Sequence, residues 1–467
     1  MRRDRTAVLY FLAQVVRSVV GFGTTLIAAR YFGAGGLGIY SQVLALLFWL
    51  KLPSNSLTTA ISKRMSESTD RTGHFTAGLV AALGYGLAIA AVILMFRDLV
   101  NGYLNANAAV LLVALILGNI TFDIVKSGFV GRKRVAVSGW FNTAEQILRL
   151  VAQVAFVLGG TMVIGLVYGH VVSLAVFAVI GVVLLRDSLR IPTAGDFDDL
   201  RRFAQYSWLG NLKGLALSWM DILVLGLFVG NEFVGIYQAS WTLASFLALT
   251  SKSIGTTLFP EMSALGARES YDQARSLLGD AVMFAGVFLI PGLFGALVVG
   301  DRVLEIYEQE FAMGATILVL LIGARTVHAF GNQLMTALNG LDYPEIAFRI
   351  NAVFFATNLV LNVALVYYFG WYGAAVATLT STCVYLAGAW YAIQRIVGGI
   401  DIPFREIGIE IFASLVMVGG LVVVLPLVPR NVFTTVAVVL VGAGIYGIVL
   451  LGLSTRIRGK VRAIASL

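Results

Sequence analysis

Cysteine, proline and charged residues are scarce in this sequence, and each scarcity narrows the class of protein. The single cysteine, Cys383, excludes a disulfide framework and a cysteine-based metal site. The three histidines, His74, His170 and His328, are scattered and predict no ligand cluster, so we expect no metal and no cofactor. Charged residues make up only 12% of the chain, about half of their usual share in soluble domains. Most of this protein must therefore face lipid or other helices.

Long apolar segments fill most of the 467 residues, of which 59% are hydrophobic. The mean hydropathy is +0.88, and 50 glycines accompany only 8 prolines. Small residues allow membrane helices to approach closely. Because a membrane span needs about 20 largely apolar residues, the sequence predicts an all-α integral membrane protein with about 14 transmembrane helices. The predicted spans are 8–30, 38–62, 75–97, 107–129, 138–158, 162–185, 204–229, 233–258, 278–299, 312–338, 348–369, 373–395, 408–428 and 432–453.

The net charge of +8 comes from basic residues that lie mostly in short loops between the apolar segments. This distribution is a topology signal, so we expect no nucleic acid partner. Most lysines and arginines fall at the N-terminus, in the loops after even-numbered spans and at the C-terminus. The opposite loops hold four, namely Arg30, Arg97, Arg302 and Arg430. The positive-inside rule then predicts that both termini are cytoplasmic in a multi-pass protein of the plasma membrane.

An internal repeat is visible in two glycine-rich stretches, "FGAGGLGIYSQ" at Phe32–Gln42 and "FVGNEFVGIYQA" at Phe228–Ala239. A shift of 197 positions places Gly33 on Gly230, Gly38 on Gly235 and Tyr40 on Tyr237, and a shift of 209 places Asn142 on Asn351. Spans one to six therefore repeat as spans seven to twelve. An even number of spans per repeat makes the two lobes parallel, related by a pseudo-two-fold axis along the membrane normal.

The repeat predicts three regions. They are an N-terminal six-helix lobe (1–190), a C-terminal six-helix lobe (191–398), and two additional helices with a basic cytoplasmic tail (399–467). Transporters built in this way keep their site between the lobes and rock one lobe against the other.

Charged residues inside the predicted spans indicate where such a site lies. Glu145 and Arg149, four apart, and Asp123 and Lys126, three apart, are spaced to neutralise each other. Five other cations have no acid at such a spacing on their own helices, and facing lipid would cost about 12–17 kcal/mol for the set. They are Arg17, Lys51, Lys213, Lys252 and Arg325. We expect them, with Arg149, to line a wet cationic cavity that binds an anion; hydrogen bonds to helix ends or carbonyls are the alternative.

Further polar residues complete the predicted site. Gln14 and Asn211, which the repeat superimposes, are expected to line the cavity. The acids deep within spans, Asp221, Glu145 and Asp123, are the candidates for proton or sodium coupling. Of these, Asp221 is the preferred one because it has no basic neighbour at a neutralising spacing.

The fourteen spans, the repeat, "FGAGGLGIYSQ" and "FDDLRRFAQYSWLG" before span seven together resemble the Wzx-type polysaccharide-biosynthesis flippases. These belong to the multidrug/oligosaccharidyl-lipid/polysaccharide exporter superfamily. The resemblance implies alternating access and, as cargo, a sugar or oligosaccharide on a polyprenyl or dolichyl phosphate or pyrophosphate. It also implies contact with membrane lipid and, as a further candidate partner, a glycan assembly complex.

Three alternatives remain open. A multidrug exporter of the same superfamily would want carboxylates in its cavity, yet spans one and two contain none. A peptidoglycan-precursor flippase would have the same fold and the same need for a cationic cavity. A membrane glycosyltransferase would need acidic residues in an outer loop, for which Asp301–Phe311 is the candidate segment. The sequence favours a transporter and not an enzyme.

Overall fold

The structure is a computed structural model that describes the backbone of residues 2–67, 72–207, 214 and 216–459. Side chains are described within these ranges from residue 19 onward, apart from residues 72, 206, 207, 250, 253, 256 and 257. Every regular element in these ranges is helical. The prediction of an all-α membrane protein is therefore confirmed. The chain divides into two compact units, Met1–Gly235 and Ile236–Leu467, whereas the three predicted regions and their parallel arrangement stay predictions.

Among the described residues, the first unit contains nine α-helices, a 3-10 turn at Arg186–Ser188 and a short π-helical segment. Within it, α6 packs along α7, and α5 packs against α2, α3 and α7. The helices are α1 (Arg2–Leu50), α2 (Leu52–Glu67), α3 (Thr72–Met95), α4 (Arg97–Leu104), α5 (Ala109–Gly131), α6 (Val135–Leu158), α7 (Ile164–Leu184), α8 (Ala194–Ser207) and α9 (Asp221–Phe228), with the π-helix at Ala216–Met220.

The second unit contains the remaining helices. Here α14 packs against α11, α13 and α15, and α16 packs against α13 and α17. The helices are α10 (Asn231–Leu247), which begins in the first unit, α11 (Leu249–Gly266), α12 (Tyr271–Gly286), α13 (Leu289–Leu304), α14 (Ala315–Gly340), α15 (Pro344–Val397), α16 (Phe404–Val424) and α17 (Val432–Leu453).

Every predicted span overlaps helix in the described part of the chain. By length and composition, nine helical segments of that part are able to cross a membrane. Some are too long for one crossing: the 54 residues of Pro344–Val397 would extend about 81 Å as a straight helix, against a hydrocarbon core of about 30 Å. Fourteen crossings therefore stays a prediction.

Two glycines break long helices where the sequence predicts a change of span. Gly33 in α1 has φ 66° and ψ −171°, and Gly370 in α15 has φ 58° and ψ −140°. A side chain disfavours both conformations strongly, so only glycine adopts them readily. The breaks fall between predicted spans one and two, and between eleven and twelve.

The second predicted span, 38–62, is interrupted at Lys51. Pro53 has no N–H to donate, so the regular hydrogen-bond pattern fails here. The N–H of Ser54 donates to the carbonyl of Lys51 at 2.9 Å, and the carbonyl of Leu50 instead accepts from the hydroxyl of Tyr85 at 2.6 Å. The result is that α1 ends at Leu50 and α2 begins at Leu52, with Lys51 at the junction.

The two glycine-rich stretches meet each other inside the first unit. A Cβ added to Gly38 would lie 1.9 Å from the carbonyl oxygen of Asn231, and one added to Gly235 would lie 1.9 Å from that of Ala34. The shift of 197 that aligns the stretches also places Ala34 on Asn231. Equivalent positions therefore make reciprocal contacts, and both glycines are required by backbone proximity.

An arginine fixes the turn between α16 and α17. Arg302, which is buried at the end of α13, donates from Nη2 to the carbonyl oxygens of Val428 at 3.2 Å and Pro429 at 2.6 Å. Arg430 in the same turn forms ion pairs with Asp301 and Glu305. The α16–α17 hairpin is thus joined to α13 at one end by polar contacts.

Candidate functional site

Lys51 is buried in the first unit and has a carboxylate partner from another helix. It is 7% exposed, and its ammonium lies 2.8 Å from Asp123 Oδ2. It also donates to Asn119 Oδ1 and lies 4.9 Å from the ring centroid of Phe48. The break before Pro53 points Lys51 towards α5, which supplies both partners. The sequence predicts only that Lys51 has no acid at a neutralising spacing on its own helix, and the structure adds a carboxylate from α5. The role of Lys51 in binding phosphate stays a prediction.

Asp123 is shared between two cations. Lys126 lies 2.8 Å from Asp123 Oδ1 on the same helix, as the spacing of three predicts, and donates to Asn142 Oδ1 at 3.3 Å. Two ammonium groups and one carboxylate leave a local excess of one positive charge. An anion is the ligand that balances such a cluster.

A second buried polar network lies between α6 and α7. Glu145, 2% exposed, accepts a hydrogen bond from Ser173 Oγ at 2.8 Å, and its other oxygen lies 3.7 Å from Arg149 Nη2. The predicted Glu145–Arg149 pair is therefore present in the structure. Because the carboxylate has partners on both helices, it also ties α6 to α7.

The network continues through a histidine that links α7 to α1. Arg149 Nη1 lies 2.9 Å from His170 Nε2, and His170 Nδ1 lies 3.4 Å from the hydroxyl of Tyr40. An arginine only donates, so His170 must accept at Nε2 and carry its proton on Nδ1. Gln153 donates to the same Tyr40 hydroxyl at 2.9 Å.

A glycine makes this close approach of α6 and α7 possible. A Cβ added to Gly169 would lie 2.5 Å from the backbone nitrogen of Gln153, which is closer than real Cβ atoms come. The glycine therefore brings its neighbour His170 within reach of Arg149. The sequence shows the polar residues but not this pairing, since His170 and Arg149 are 21 positions apart.

In the second unit, Arg325 lies on α14 beside α10. Its Nη2 donates to Ser245 Oγ at 2.5 Å, and its guanidinium carbon lies 3.9 Å from the ring centroid of Trp241. A guanidinium over an indole face is a favourable cation–π contact. Arg325 is thus held by an aromatic ring and a hydroxyl, which the sequence did not predict.

Lys252 is exposed and lines an open cavity of the second unit, of about 650 Å³. Helix α11 contributes Lys252 and Phe259, and the last two turns of α14 contribute Asn332 and Asn339. Lys252 is therefore the predicted cation that the structure places in a cavity.

Asp221 is buried at the first residue of α9, directly after the π-helical segment Ala216–Met220. Such segments occur frequently at functional sites. Nearby, the hydroxyl of Tyr103 donates to the carbonyl of Leu223 at 2.9 Å, and burial raises the pKa of Tyr103. A role of Asp221 in ion coupling stays a prediction.

Four predicted site residues fall outside what the structure describes. Asn211 and Lys213 lie outside the described residues, and Gln14 and Arg17 lie on described backbone but outside the described side chains. Among the described ones, Lys51 and Asp123 meet directly, while Glu145 and Arg149 form their own network.

Comparisons of sequence extend over most of the chain. A family model described as "Polysaccharide biosynthesis protein" matches residues 5–265. The probable flippase AglR of Haloferax volcanii is 32% identical over 468 residues, covering 99% of this chain and 98% of that protein. The probable low-salt glycan biosynthesis flippase Agl15 of the same organism is 27% identical over 426 residues, covering 89% of each.

A comparison of structures identifies the fold. The lipid II flippase MurJ, in an inward closed conformation, superimposes with a TM-score of 0.81 over 95% of this chain and 98% of that one. The sequence identity is 13%, so the likeness concerns the fold alone.

Proposed function

This chain belongs to the polysaccharide biosynthesis protein family, and on that premise we propose that it is a flippase for a lipid-linked sugar or oligosaccharide. The cargo moves from the cytoplasmic to the outer leaflet on a polyprenyl or dolichyl phosphate carrier, by alternating access through a cationic cavity. Both termini lie in the cytoplasm of a plasma-membrane protein. The names of AglR and Agl15 as probable flippases support this reading.

The observation that carries the proposal is the local excess of positive charge around Asp123. Lys51 and Lys126 share the single carboxylate of Asp123, and Lys252 faces an open cavity. Buried charge without a balancing partner is costly in a membrane and marks a functional site. A phosphate supplies the missing negative charge, whereas the cation of a multidrug substrate would add to the excess.

A cationic site suits the task of a flippase, which is to move a polar head group across the bilayer. The lipid tail of the cargo can remain in the bilayer, while its anionic head needs water and positive charge on the way across. An inside-negative potential favours outward movement of the head by about 2.3 kcal/mol per charge per 100 mV. A lysine, as a flexible point charge, can hold a phosphate and release it.

The proposal is tested by reconstituting the full chain in liposomes with a fluorescent farnesyl phosphate that carries one glucose. Loss of fluorescence to an impermeant quencher measures its movement between leaflets. We expect protein-dependent movement that Lys51→Met and Lys252→Met each slow at least tenfold. The control is Lys63→Met, which removes an exposed lysine of α2. Movement of the lipophilic cation ethidium but not of the phosphate probe would instead establish the multidrug exporter.

A further inference from the structure

The last turns of α14 expose a purely polar face. Across residues 331–340, accessible surface remains only at Asn332, Thr336 and Asn339, while every other position is buried. Spacings of four and three residues put these side chains on one face of the helix. Arg325, seven residues before Asn332, lies about two turns further towards the N-terminus on the same side. In a segment apolar and long enough to cross a membrane, such a face is unsuited to lipid. Thr336 and Asn339 each donate one hydrogen bond to a carbonyl of α14, and the polar surface that stays accessible is suited to water or a polar ligand.

That face forms one wall of the cavity of about 650 Å³, a volume within the range of about 300–1,000 Å³ typical of small-molecule sites. Helix α11 forms the opposite wall with Lys252 and Phe259, and Asp342 lies in the turn after α14. A Cβ added at Gly255 would lie 3.6 Å from Thr336 Oγ1, an ordinary van der Waals distance, so a methyl group would fit there. Any larger side chain at Gly255 would project into the space between the helices.

The mixture of groups is suited to a sugar and not to a phosphate alone. A phosphate only accepts hydrogen bonds and would be repelled by the carboxylate of Asp342. Sugar hydroxyls both donate and accept, and so do the amides of Asn332 and Asn339. The hydroxyl of Thr336 donates to the carbonyl of Asn332 at 2.8 Å and keeps its oxygen as an acceptor. Among the described residues that line this cavity, Lys252 is the one cation.

We propose that this cavity binds the sugar attached to the lipid phosphate, with Asn332, Thr336 and Asn339 contacting its hydroxyls and Lys252 contacting the phosphate. The inference rests on the proposed function and adds a recognition site for the first sugar. By the predicted topology, span ten runs towards the cytoplasm, so its C-terminal end holds the cavity on the side where the cargo is loaded. The protein then binds and recognises the sugar before the head group crosses the membrane.

The test measures affinity of the full chain in lipid nanodiscs for five probes. One is farnesyl phosphate, and the others are farnesyl phosphates carrying a single glucose, galactose, mannose or N-acetylglucosamine. We expect at least one sugar-bearing probe to bind at least tenfold more tightly than farnesyl phosphate. Asn332→Ala and Asn339→Ala should each abolish that preference and leave the affinity for farnesyl phosphate within twofold.

Two further variants complete the design. Lys252→Met should lower the affinity for all five probes, because every probe carries the phosphate. Gln394→Ala removes an exposed amide near the end of α15, away from the cavity, and should change nothing. Folding of Asn339→Ala is secured because Asn339 is exposed and donates only to the carbonyl of Met335 in its own helix.

The outcomes separate the two proposals. Equal affinity of all five probes with dependence on Lys252, or a sugar preference that survives both asparagine variants, overturns the sugar site and leaves the flippase proposal standing. If no probe binds the unaltered chain, both the flippase proposal and the sugar-site proposal are contradicted.

Discussion

Lys51 and Lys126 share one carboxylate, so removing Asp123 is expected to destabilise the protein more than removing either lysine. Asp123→Asn leaves the buried ammonium of Lys51 and the partly exposed ammonium of Lys126 without an acid. Losing one partner of a buried pair typically costs about 3–5 kcal/mol. Lys51→Met leaves Asp123 paired with Lys126 at 2.8 Å. Thermal unfolding in nanodiscs should show a larger drop in Tm for Asp123→Asn than for Lys51→Met. An equal drop in Tm for the two variants would mean that stability depends on the Lys51–Asp123 pair alone. The second contact of Asp123, to Lys126, would then contribute nothing.

Glu410 presents the opposite case, a buried acid without compensation. It is 0% exposed in α16, and neither carboxylate oxygen has a hydrogen-bond partner among the described residues. Burying a polar group without a partner costs free energy, so Glu410→Met is expected to raise Tm by several degrees. The matched control, Glu308→Met at an exposed acid, should leave Tm unchanged. A lower Tm in Glu410→Met would show that the carboxylate makes a stabilising interaction.

Among single residues, the sequence predicts contacts within one helix better than contacts between helices. The Asp123–Lys126 and Glu145–Arg149 pairs follow from helical spacing and are present. The partner of Lys51 comes from α5, 72 positions away. Nothing along a single helix indicates it, because the contact depends on which faces pack together.

The helix break at Gly33 is expected to depend on glycine itself. Gly33→Ala places a Cβ on a backbone with φ 66° and ψ −171°, a conformation close to exclusive to glycine that costs about 1–3 kcal/mol otherwise. We expect a reduced Tm and a reduced yield of folded protein. Gly21→Ala is the control, because a Cβ there has nothing within 4 Å. Equal behaviour of the two variants would show that the break at Gly33 is not required.

At the scale of helices, hydropathy locates the elements while local chemistry sets their ends. Each of the fourteen predicted segments overlaps helix in the part of the chain that the structure describes, because length and apolar composition suffice to find them. Hydropathy does not predict the interruption at Lys51, because it arises from Pro53 and from a hydrogen bond that the hydroxyl of Tyr85 on α3 donates. A tertiary hydrogen bond of this kind leaves no trace in the local sequence.

For the molecule as a whole, the distribution of positive charge predicts the orientation in the membrane. Reporter fusions after Arg64, Arg202 and Arg458 should all report cytoplasm, and one near Arg302 should report the outside, because basic loops are retained on the cytoplasmic side. Enzyme reporters active on one side only provide the measurement. A cytoplasmic signal near Arg302 would reverse the assigned orientation and, with it, the side on which the α14 cavity opens.

The reciprocal packing of Gly38 and Gly235 has the form of a homodimer contact. In a two-fold dimer one surface meets its own copy, so that residue i touches j and j touches i. Gly38 faces Asn231 while Gly235 faces Ala34, and these are the same pair of positions in the two repeats. A side chain at either glycine would collide with the backbone of the other stretch, as it would at the axis of a two-fold dimer. Each stretch therefore restricts which residue the other can carry at this position.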